Sequence, residues 1–387
     1  MEEPNEQADG ERSIVQQELS AIRKEIKDAR FEDFVQDIKS GEWFAGLLAS
    51  SLRNYAETAT PEFFAGKYPG LPPDAVVDRQ VALAKRYAGI AGAITSSAYT
   101  AAIAATIGSK GGASPWTIPA ALTAMGTDLF YLTRLQLRLA YDMSVLYGQP
   151  ANIEDPEDVY ELLKVAFGVK TGEVALTAIN KVVPEATRQG VKAVVKGAAL
   201  KSLQNGLPVV GKSLLQRHVI KFAIPAVGVP LTVGLNILTT GFVANTARQI
   251  YRDKALADEK AKEFVDCLPH HELLISVVWA AIQVDGPTSA EEMWFLRNLV
   301  KFAGEVEGFC GDGDDLGLSV DVESLCSEAA ELTQDDRDTL FEAACLAVTI
   351  DRKVHQKEKE FLGMLAAATG VEWDPGRLKE MVRNNKV

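Results

Sequence analysis

The residues with the clearest chemical potential are the bases between residues 186 and 252, a stretch with nine Lys or Arg and no Asp or Glu. Arg188, Lys192 and Lys196 recur every fourth residue, which places them on one face of a predicted helix, and Lys201 follows them. Basic side chains beside apolar helices are attracted to anionic lipid headgroups by about 1 kcal/mol each. The pattern predicts lipid binding by these four residues. Two alternatives stay open: the bases solvate a helix face, or they pair with acidic segments of the same chain.

A second pattern recurs after 66 residues. Asp285 is followed by Glu292, and Asp351 by Glu358, at the same offset. Apolar residues and a Gly then recur at matched offsets in the two copies: Phe295, Leu296, Leu299 and Gly304, then Phe361, Leu362, Leu365 and Gly370. We interpret the copies as two helix–loop–helix units. Each Glu is expected in the first turn of a helix, and each Gly at the residue that ends it.

This arrangement resembles the TerB-like family of tellurite-resistance proteins, over about residues 268–387. The resemblance implies that paired acidic positions of the two units act as cation ligands. Four carboxylates brought together would suit Ca²⁺ or Mg²⁺. The acidic surface could also bind a protein partner. The implied ligands are Asp285, Glu292, Asp351 and Glu358.

The second unit departs from the family pattern, because Arg352 and Lys353 follow Asp351 where the family has Gly. Positive charge at this point would weaken cation binding. A structural alternative is open for both units. Ser289 and Glu292 have the spacing of a capping box, in which the Glu side chain accepts from the backbone N–H of the Ser. Glu358 would cap its own helix in the same way.

Three further motifs predict little. Gly206–Ser213 matches the Walker A pattern, but no buried strand precedes it and Pro208 lacks a backbone N–H, so we expect no nucleotide. Residues 312–323 fit part of an EF-hand loop, but Leu316 occupies a ligand position, which favours a solvated acidic linker. The two His at 270–271 lack a second pair of ligands for zinc.

Helical spacing dominates the elements that would position these residues. Ile14, Leu19, Ile22 and Ile26 are spaced as on one face of an N-terminal amphipathic helix. Residues 87–107 carry no charge and are long enough to span a membrane. Their Ala, Ser, Thr and Gly residues insert weakly, however, so a buried, closely packed helix is the alternative. No useful alternation of period two occurs, and we therefore expect an all-α fold.

The apolar body of the chain has a resemblance of its own. The run Ala101–Tyr147, with a helix that carries Asp128, is followed later by Leu207–Gly211 and an apolar stretch that reaches Asn236. These features resemble the EcsC protein family over about residues 75–255. The resemblance implies association with the cytoplasmic face of a membrane and no catalytic activity.

Charge and composition suggest three parts. Residues 251–387 hold 28 acidic and 15 basic residues, and this excess of 13 negative charges equals the net charge of −13 of the whole chain. We expect an N-terminal helical arm at 1–74, an EcsC-like body at 75–257 and a TerB-like acidic module at 268–387. The N-terminal sequence does not have the pattern of a signal peptide, and four scattered Cys are typical of reduced thiols. A cytoplasmic location, peripheral at the inner face of the cell membrane, is expected.

These features predict a non-enzymatic, membrane-associated protein that binds anionic lipid through its body. Its acidic module would bind a divalent cation or a protein partner, with a role in envelope stress or defence by analogy. Two alternatives stay open. One is a soluble helical interaction scaffold, and the other an enzyme that acts on a lipid or other apolar substrate. Nucleic acid is not an expected partner, because the basic stretch lacks interleaved aromatic residues.

Overall fold

The computed structural model describes residues 4–28, 43–167, 214–215, 228–284, 289–306 and 321–384. Thirteen α-helices and no strand lie in these residues, so the predicted all-α fold is confirmed. The first seven helices are α1 Pro4–Asp28, α2 Trp43–Thr58, α3 Pro61–Lys67, α4 Pro73–Gly108, α5 Ser114–Leu146, α6 Pro156–Phe167 and α7 Gly228–Cys267. The others are α8 His271–Gln283, α9 Ala290–Val306, α10 Val322–Ala330, α11 Gln334–Thr349, α12 Gln356–Thr369 and α13 Pro375–Asn384.

The described residues form two compact units, and the division between them falls within α7, at Tyr251. In the first unit, α4 and α5 form a long antiparallel pair, with α1, α2 and α6 packed against α5. Proline at the first turn starts α3, α4 and α5, where the missing N–H has no helical partner to lose. The core of this unit includes Phe44, Leu129, Leu137 and Met143, all fully buried.

The N-terminal helix packs into this first core, but with a different face from the predicted one. Leu19, Ile22 and Ile26 are buried as expected, whereas Ile14 is 51% exposed and Val15 is buried in its place. Positions 15, 19, 22 and 26 keep the three-and-four spacing of one helix face, and position 14 lies off it. The prediction for Ile14 was therefore wrong.

In the second compact unit, which contains both predicted helix–loop–helix copies, helix boundaries recur at the 66-residue offset of the sequence pattern. The helices α8 and α11 end at Gln283 and Thr349, and α9 and α12 begin at Ala290 and Gln356. The recurring Phe and Leu positions are all buried, as the predicted pair of units requires: Phe295, Leu296, Leu299, Phe361, Leu362 and Leu365.

The two glycines of the pattern behave differently. Gly370 follows α12 with a left-handed φ of 71°, which confirms its predicted role at the helix end. Gly304 lies inside α9, which continues to Val306, so the prediction that it ends the helix was wrong. An interior helical Gly costs only about 1 kcal/mol relative to Ala, and the packing of a helix can outweigh that cost.

Candidate functional site

The pair α4 and α5 forms a helical hairpin with a fixed register. Thr95 on α4 contacts Asp128 on α5, with 2.8 Å between Oγ1 and Oδ1. Eleven residues further along α4, the hydroxyl oxygen of Thr106 contacts that of Thr117, eleven residues back along α5. The apex is a short Gly-rich turn in which Lys110 and Gly111 both have positive φ.

The distal half of this hairpin exposes apolar side chains. Trp116 is 82% exposed and Ile107 is 71% exposed, and Ile118 is also exposed. Residues 87–127 contain Lys110 as their one charged residue. Within the described part of the chain, α4 is the helix that is long and apolar enough to cross a membrane. Of its most apolar 18-residue stretch, 22% is buried. Scattered exposed apolar residues are ordinary, but a contiguous apolar surface indicates a contact with a partner or a membrane.

The hydroxyl groups of the hairpin have partners within their own helices. On α4, the Thr106 hydroxyl donates to the carbonyl of Ala102 at 3.0 Å. On α5, the Thr123 hydroxyl donates to the carbonyl of Pro119 at 2.8 Å. The same contact with the carbonyl four residues earlier is made by Thr95, Ser96, Thr117 and Thr127. The hydroxyls of Thr100 on α4 and Thr133 on α5 are exceptions, since both are buried without a partner among the described residues. This bonding lowers the cost of placing hydroxyl groups in an apolar environment.

Charged residues collect at the opposite, proximal end of the hairpin. Arg86 of α4 pairs with Glu11 of α1, with 2.9 Å between Nη2 and Oε1. Arg138 of α5 pairs with Glu18 of α1, with 3.0 Å between Nη1 and Oε1. The side chain of Arg134 lies near the same α1 surface. The hairpin is thus apolar over its distal part and bounded by ion pairs at its base.

A buried polar cluster joins the hairpin to α7. Asp128 and Asn236 are both fully buried, and Asn236 Nδ2 donates to Asp128 Oδ1 at 3.1 Å. The same amide donates to the carbonyl of Ala88 at 3.3 Å. Gly92 makes this approach possible, because a Cβ there would lie 2.8 Å from Asn236 Nδ2. The two residues that carried the EcsC resemblance on α5 and α7 are therefore in direct contact.

A second buried carboxyl group lies nearer the base, outside the apolar part. Tyr55 of α2 donates its hydroxyl proton to Asp142 Oδ1 at 2.6 Å. Burial raises the pKa of Asp142 to about 7, against opposing effects of the Tyr55 hydrogen bond and of the Lys67 and Arg138 charges. The Arg138 guanidinium lies over the Tyr55 ring, 5.1 Å from its centroid. This group titrates in the physiological pH range.

Two of the predicted cation ligands, Glu292 and Glu358, lie in the first turns of helices, and Asp351 lies in the loop that follows α11. The carboxylate of Glu292 accepts from Ser289 N at 2.6 Å, and that of Glu358 accepts from His355 N at 2.5 Å. Both Glu side chains are buried. Asp351 is half-buried and accepts from Lys353 N at 2.8 Å. The capping contact that the sequence left as an alternative is therefore present in both helix–loop–helix copies. Asp285 lies outside the described residues.

No group of three or more His, Cys, Asp or Glu side chains suited to a metal ion occurs in the described part of the chain. The predicted lipid-binding residues cannot be placed beside the hairpin, since all of them lie outside the described residues: Arg188, Lys192, Lys196 and Lys201. The Walker-like segment 206–213 and most of the EF-hand-like segment 312–323 also lie outside them. The cation and lipid assignments stay predictions.

Sequence reasoning missed Lys110 and Trp116 as parts of a possible site. The charge-free run 87–107 drew attention to α4 alone, because the Pro and Gly residues around position 115 marked a break. The signal was the continuation of the charge-free pattern on α5 as far as Thr127, with Lys110 alone at the turn. A symmetric charge-free run on both sides of a turn is typical of a hairpin, not of a single helix.

No protein-family model, curated protein or solved structure matches the chain. The resemblances to the EcsC and TerB-like families therefore remain predictions from residue patterns.

Proposed function

We propose that this is a non-enzymatic, membrane-associated protein whose α4–α5 hairpin enters a lipid bilayer. The observation that carries the proposal is the exposure of Ile107, Trp116 and Ile118 on the charge-free distal half of the hairpin. Burying a large apolar side chain contributes about 2 kcal/mol. Because several such residues lie together on one end of the hairpin, a bilayer is a favourable environment for it.

The polar features of the hairpin support the same proposal. The hydroxyl groups of four of its threonines bond to backbone carbonyls of their own helices, as groups in hydrocarbon must do in the absence of water: Thr106, Thr117, Thr123 and Thr127. Its ion pairs, with Arg86 and Arg138, lie at the base, where headgroups and water would surround them. The charge-free distal part of the hairpin would therefore enter the membrane, and the ion pairs at its base would stay outside the hydrocarbon.

The remaining elements of the proposal come from the sequence pattern. The basic stretch, with Lys192, Lys196 and Lys201, would add attraction to anionic lipid on the cytoplasmic leaflet. The acidic module would bind a divalent cation or a protein partner. A role in envelope stress or defence is the corresponding biological proposal, by analogy with the two resembled families.

Flotation of the purified protein with preformed vesicles tests the proposal. One set of vesicles contains phosphatidylcholine, and a second contains phosphatidylcholine mixed with phosphatidylglycerol. The protein should float with both sets, and Ile107→Ser with Trp116→Ser should reduce the bound fraction at least about tenfold. The matched control changes two exposed apolar residues elsewhere in the first unit, Ile14→Ser with Phe63→Ser, and should float like the unchanged protein.

A second variant tests the basic stretch. Replacement of Lys192, Lys196 and Lys201 by Ala should remove any preference for the anionic vesicles and leave flotation with neutral vesicles unchanged. If the protein floats with neither set, the hairpin does not bind lipid. Concentration-dependent self-association that is lost in the Ile107 and Trp116 variant would then support the soluble scaffold.

A further inference from the structure

We infer that the hairpin crosses the full hydrocarbon layer, so that Lys110 at its apex contacts phosphates of the opposite leaflet. The inference rests on the proposed function and specifies the partner of the apex. Residues Tyr87–Ile107 of α4 form 21 residues of helix, or about 31 Å at 1.5 Å per residue. The hydrocarbon layer of a bilayer is about 30 Å thick. The apolar part of α4 therefore matches the layer in length, whereas the charge-free run on α5 is shorter and ends at Thr127, before the buried Asp128.

The position of Lys110 decides between a shallow and a complete insertion. Lys110 lies at the leading end of the hairpin, in an exposed turn that follows Gly108, the last residue of α4, and also contains Gly111 and Gly112. A shallow insertion would bury Trp116 and Ile107 only by carrying the Lys110 charge into hydrocarbon first, which is costly. A complete crossing places the ammonium group among phosphates and leaves the apolar residues behind it in hydrocarbon.

The residue beside the apex supports this depth. Trp116 lies six residues after Lys110 and is 82% exposed. Trp side chains concentrate at the boundary between hydrocarbon and headgroups, where an apolar ring and a polar N–H are both accommodated. At the base, Arg86 and Arg138 mark the other boundary, and Arg134 lies about one helical turn inside it, within 4.0 Å of Glu18 of α1. Basic and aromatic residues thus lie at one end of the hairpin, and basic residues at the other, with an apolar span between them.

The one acidic group within the span is shielded by neighbouring helices. Asp128 and its partner Thr95 lie twelve residues below Ile107, or about 18 Å, near the middle of the layer. Asp128 is fully buried and accepts from Asn236 of α7. On α7, Gly241 lies against Lys85 and Asn236 against Gly92, so α7 runs antiparallel to α4 through the lower half of the span. An interior carboxyl group with internal partners is compatible with a membrane environment, because it does not face lipid.

The experiment locates the apex of the hairpin relative to a closed vesicle, with Lys110 kept in place. Gly108→Cys, at an exposed position where an added side chain meets no neighbour within 4 Å, is introduced into a chain in which Cys267, Cys310 and Cys326 are replaced by Ser and the buried Cys345 by Ala. A control chain carries Glu62→Cys instead, at an exposed position of α3, whose Lys67 acts on Asp142 near the base of the hairpin. Each chain is synthesised without cells in the presence of preformed vesicles and isolated by flotation. A membrane-impermeant maleimide is either added outside the vesicles or trapped inside them.

Crossing predicts that the thiol introduced by Gly108→Cys is labelled by the trapped reagent and is not labelled by the external reagent. The thiol introduced by Glu62→Cys should show the reverse, and detergent should make both thiols reactive. Labelling of the Gly108→Cys chain from outside, or its protection from both reagents in floated vesicles, would overturn the inference while the proposed membrane association stands. A chain that does not float at all would instead overturn the proposed function, and with it the basis of the inference.

Discussion

Asn236 donates to the carboxylate of Asp128 across 108 residues of sequence, at a point where neither side chain is exposed. The contact joins α7 to the α4–α5 hairpin and depends on Gly92, which lets the Asn236 amide approach the α4 backbone. An amide and a carboxyl group that are buried together stabilise a fold only while both have partners. The contact therefore fixes the position of α7 more strictly than apolar packing alone would.

Gly92→Ala should destabilise this unit. The new methyl group would lie 2.8 Å from Asn236 Nδ2 and 3.3 Å from the Thr232 carbonyl oxygen, so α7 must shift or Asn236 must leave Asp128. We expect the free energy of unfolding to fall by about 1–3 kcal/mol, as for other overpacked sites. Urea denaturation followed by circular dichroism measures the change.

Gly234→Ala is the matched control. This residue lies in α7 near the same interface, but a Cβ there would have no neighbour within 4 Å. The substitution should raise the stability by roughly 0.5–1 kcal/mol, since Ala is the better helix former. Equal changes in the free energy of unfolding for the two substitutions would show that the close approach of Asn236 to Gly92 does not contribute to stability.

The stability of the protein should fall as the pH rises from 5 to 8, and Asp142 should be one source of this change. Its pKa is about 7 in the folded protein, above the ordinary value, so the folded state binds more protons than the unfolded state between these limits. The contribution is present at low pH and is lost as the pH rises through about 7. Each pH unit below the pKa of about 7 corresponds to about 1.4 kcal/mol, and the slope vanishes above it, so Asp142 contributes roughly 2–3 kcal/mol between pH 5 and 8.

Asp142→Asn isolates that contribution, because the amide oxygen can still accept from the Tyr55 hydroxyl. Denaturation curves at pH 5, 6, 7 and 8 should show a smaller loss of stability for the variant than for the unchanged protein. Tyr55→Phe removes a hydrogen bond that lowers the Asp142 pKa, and should therefore move the transition to higher pH. Parallel pH profiles for Asp142→Asn and the unchanged protein would contradict the assignment.

Arg352 should stabilise the second unit despite its backbone conformation. It has a φ of 65°, where Gly is favoured, and its guanidinium donates to Asp253 Oδ1 at 2.6 Å. Arg352→Gly relieves about 1 kcal/mol of backbone strain but leaves a poorly solvated carboxylate without its cation. We expect a net loss of about 2 kcal/mol in thermal or urea unfolding at pH 7.5.

The pH dependence of this effect has a definite sign. Burial raises the pKa of Asp253 even with the opposing charge of Arg352 nearby, and removal of Arg352 should raise that pKa further. Protonation then relieves the unpaired charge, so the loss caused by Arg352→Gly should shrink at pH 5. Addition of Asp253→Asn to the variant should restore part of the stability at pH 7.5. A variant as stable as the unchanged protein at both pH values would show that the ion pair of Arg352 with Asp253 does not stabilise the second compact unit.

Glu292 and Glu358 offer a direct comparison of helix capping with cation binding. Substitution of either residue by Ala should reduce stability by about 1 kcal/mol, whereas Gln retains an acceptor for the backbone N–H and should cost less. Cation binding would in addition raise the melting temperature in millimolar Ca²⁺ or Mg²⁺, and the Gln variants would lack this rise. A melting temperature that is insensitive to both cations would leave capping as the role of these residues.

The sequence predicted those features of the fold that depend on residues close together along the chain. The all-α fold, the capping position of Glu292 and the end of α12 at Gly370 follow from local spacing and from the conformational freedom of Gly. Ile14 was assigned to the wrong face because Val15, one position away, is equally apolar. Gly304 was assigned to a helix end because local propensity does not include the packing that extends α9.

The candidate site depended on longer-range information. The absence of charge in residues 87–107 was visible in the sequence, but apolar composition is the same for a helix in a protein core and for one that faces lipid. The exposure of Trp116 and the contact between Asp128 and Asn236 arise from the pairing of α4 with α5 and α7. Such pairings join distant segments, and no local pattern specifies their register.

A lysine at the apex of an apolar hairpin also has a kinetic consequence. If the hairpin crosses a bilayer, the ammonium group of Lys110 must pass the centre of the layer during insertion and again during withdrawal. A barrier of about 2.5–3.5 kcal/mol from this charge would slow each passage roughly 100-fold relative to an uncharged apex. The protein would then be slow to leave a membrane that it has entered, and its distribution between membranes would reflect where it was first inserted.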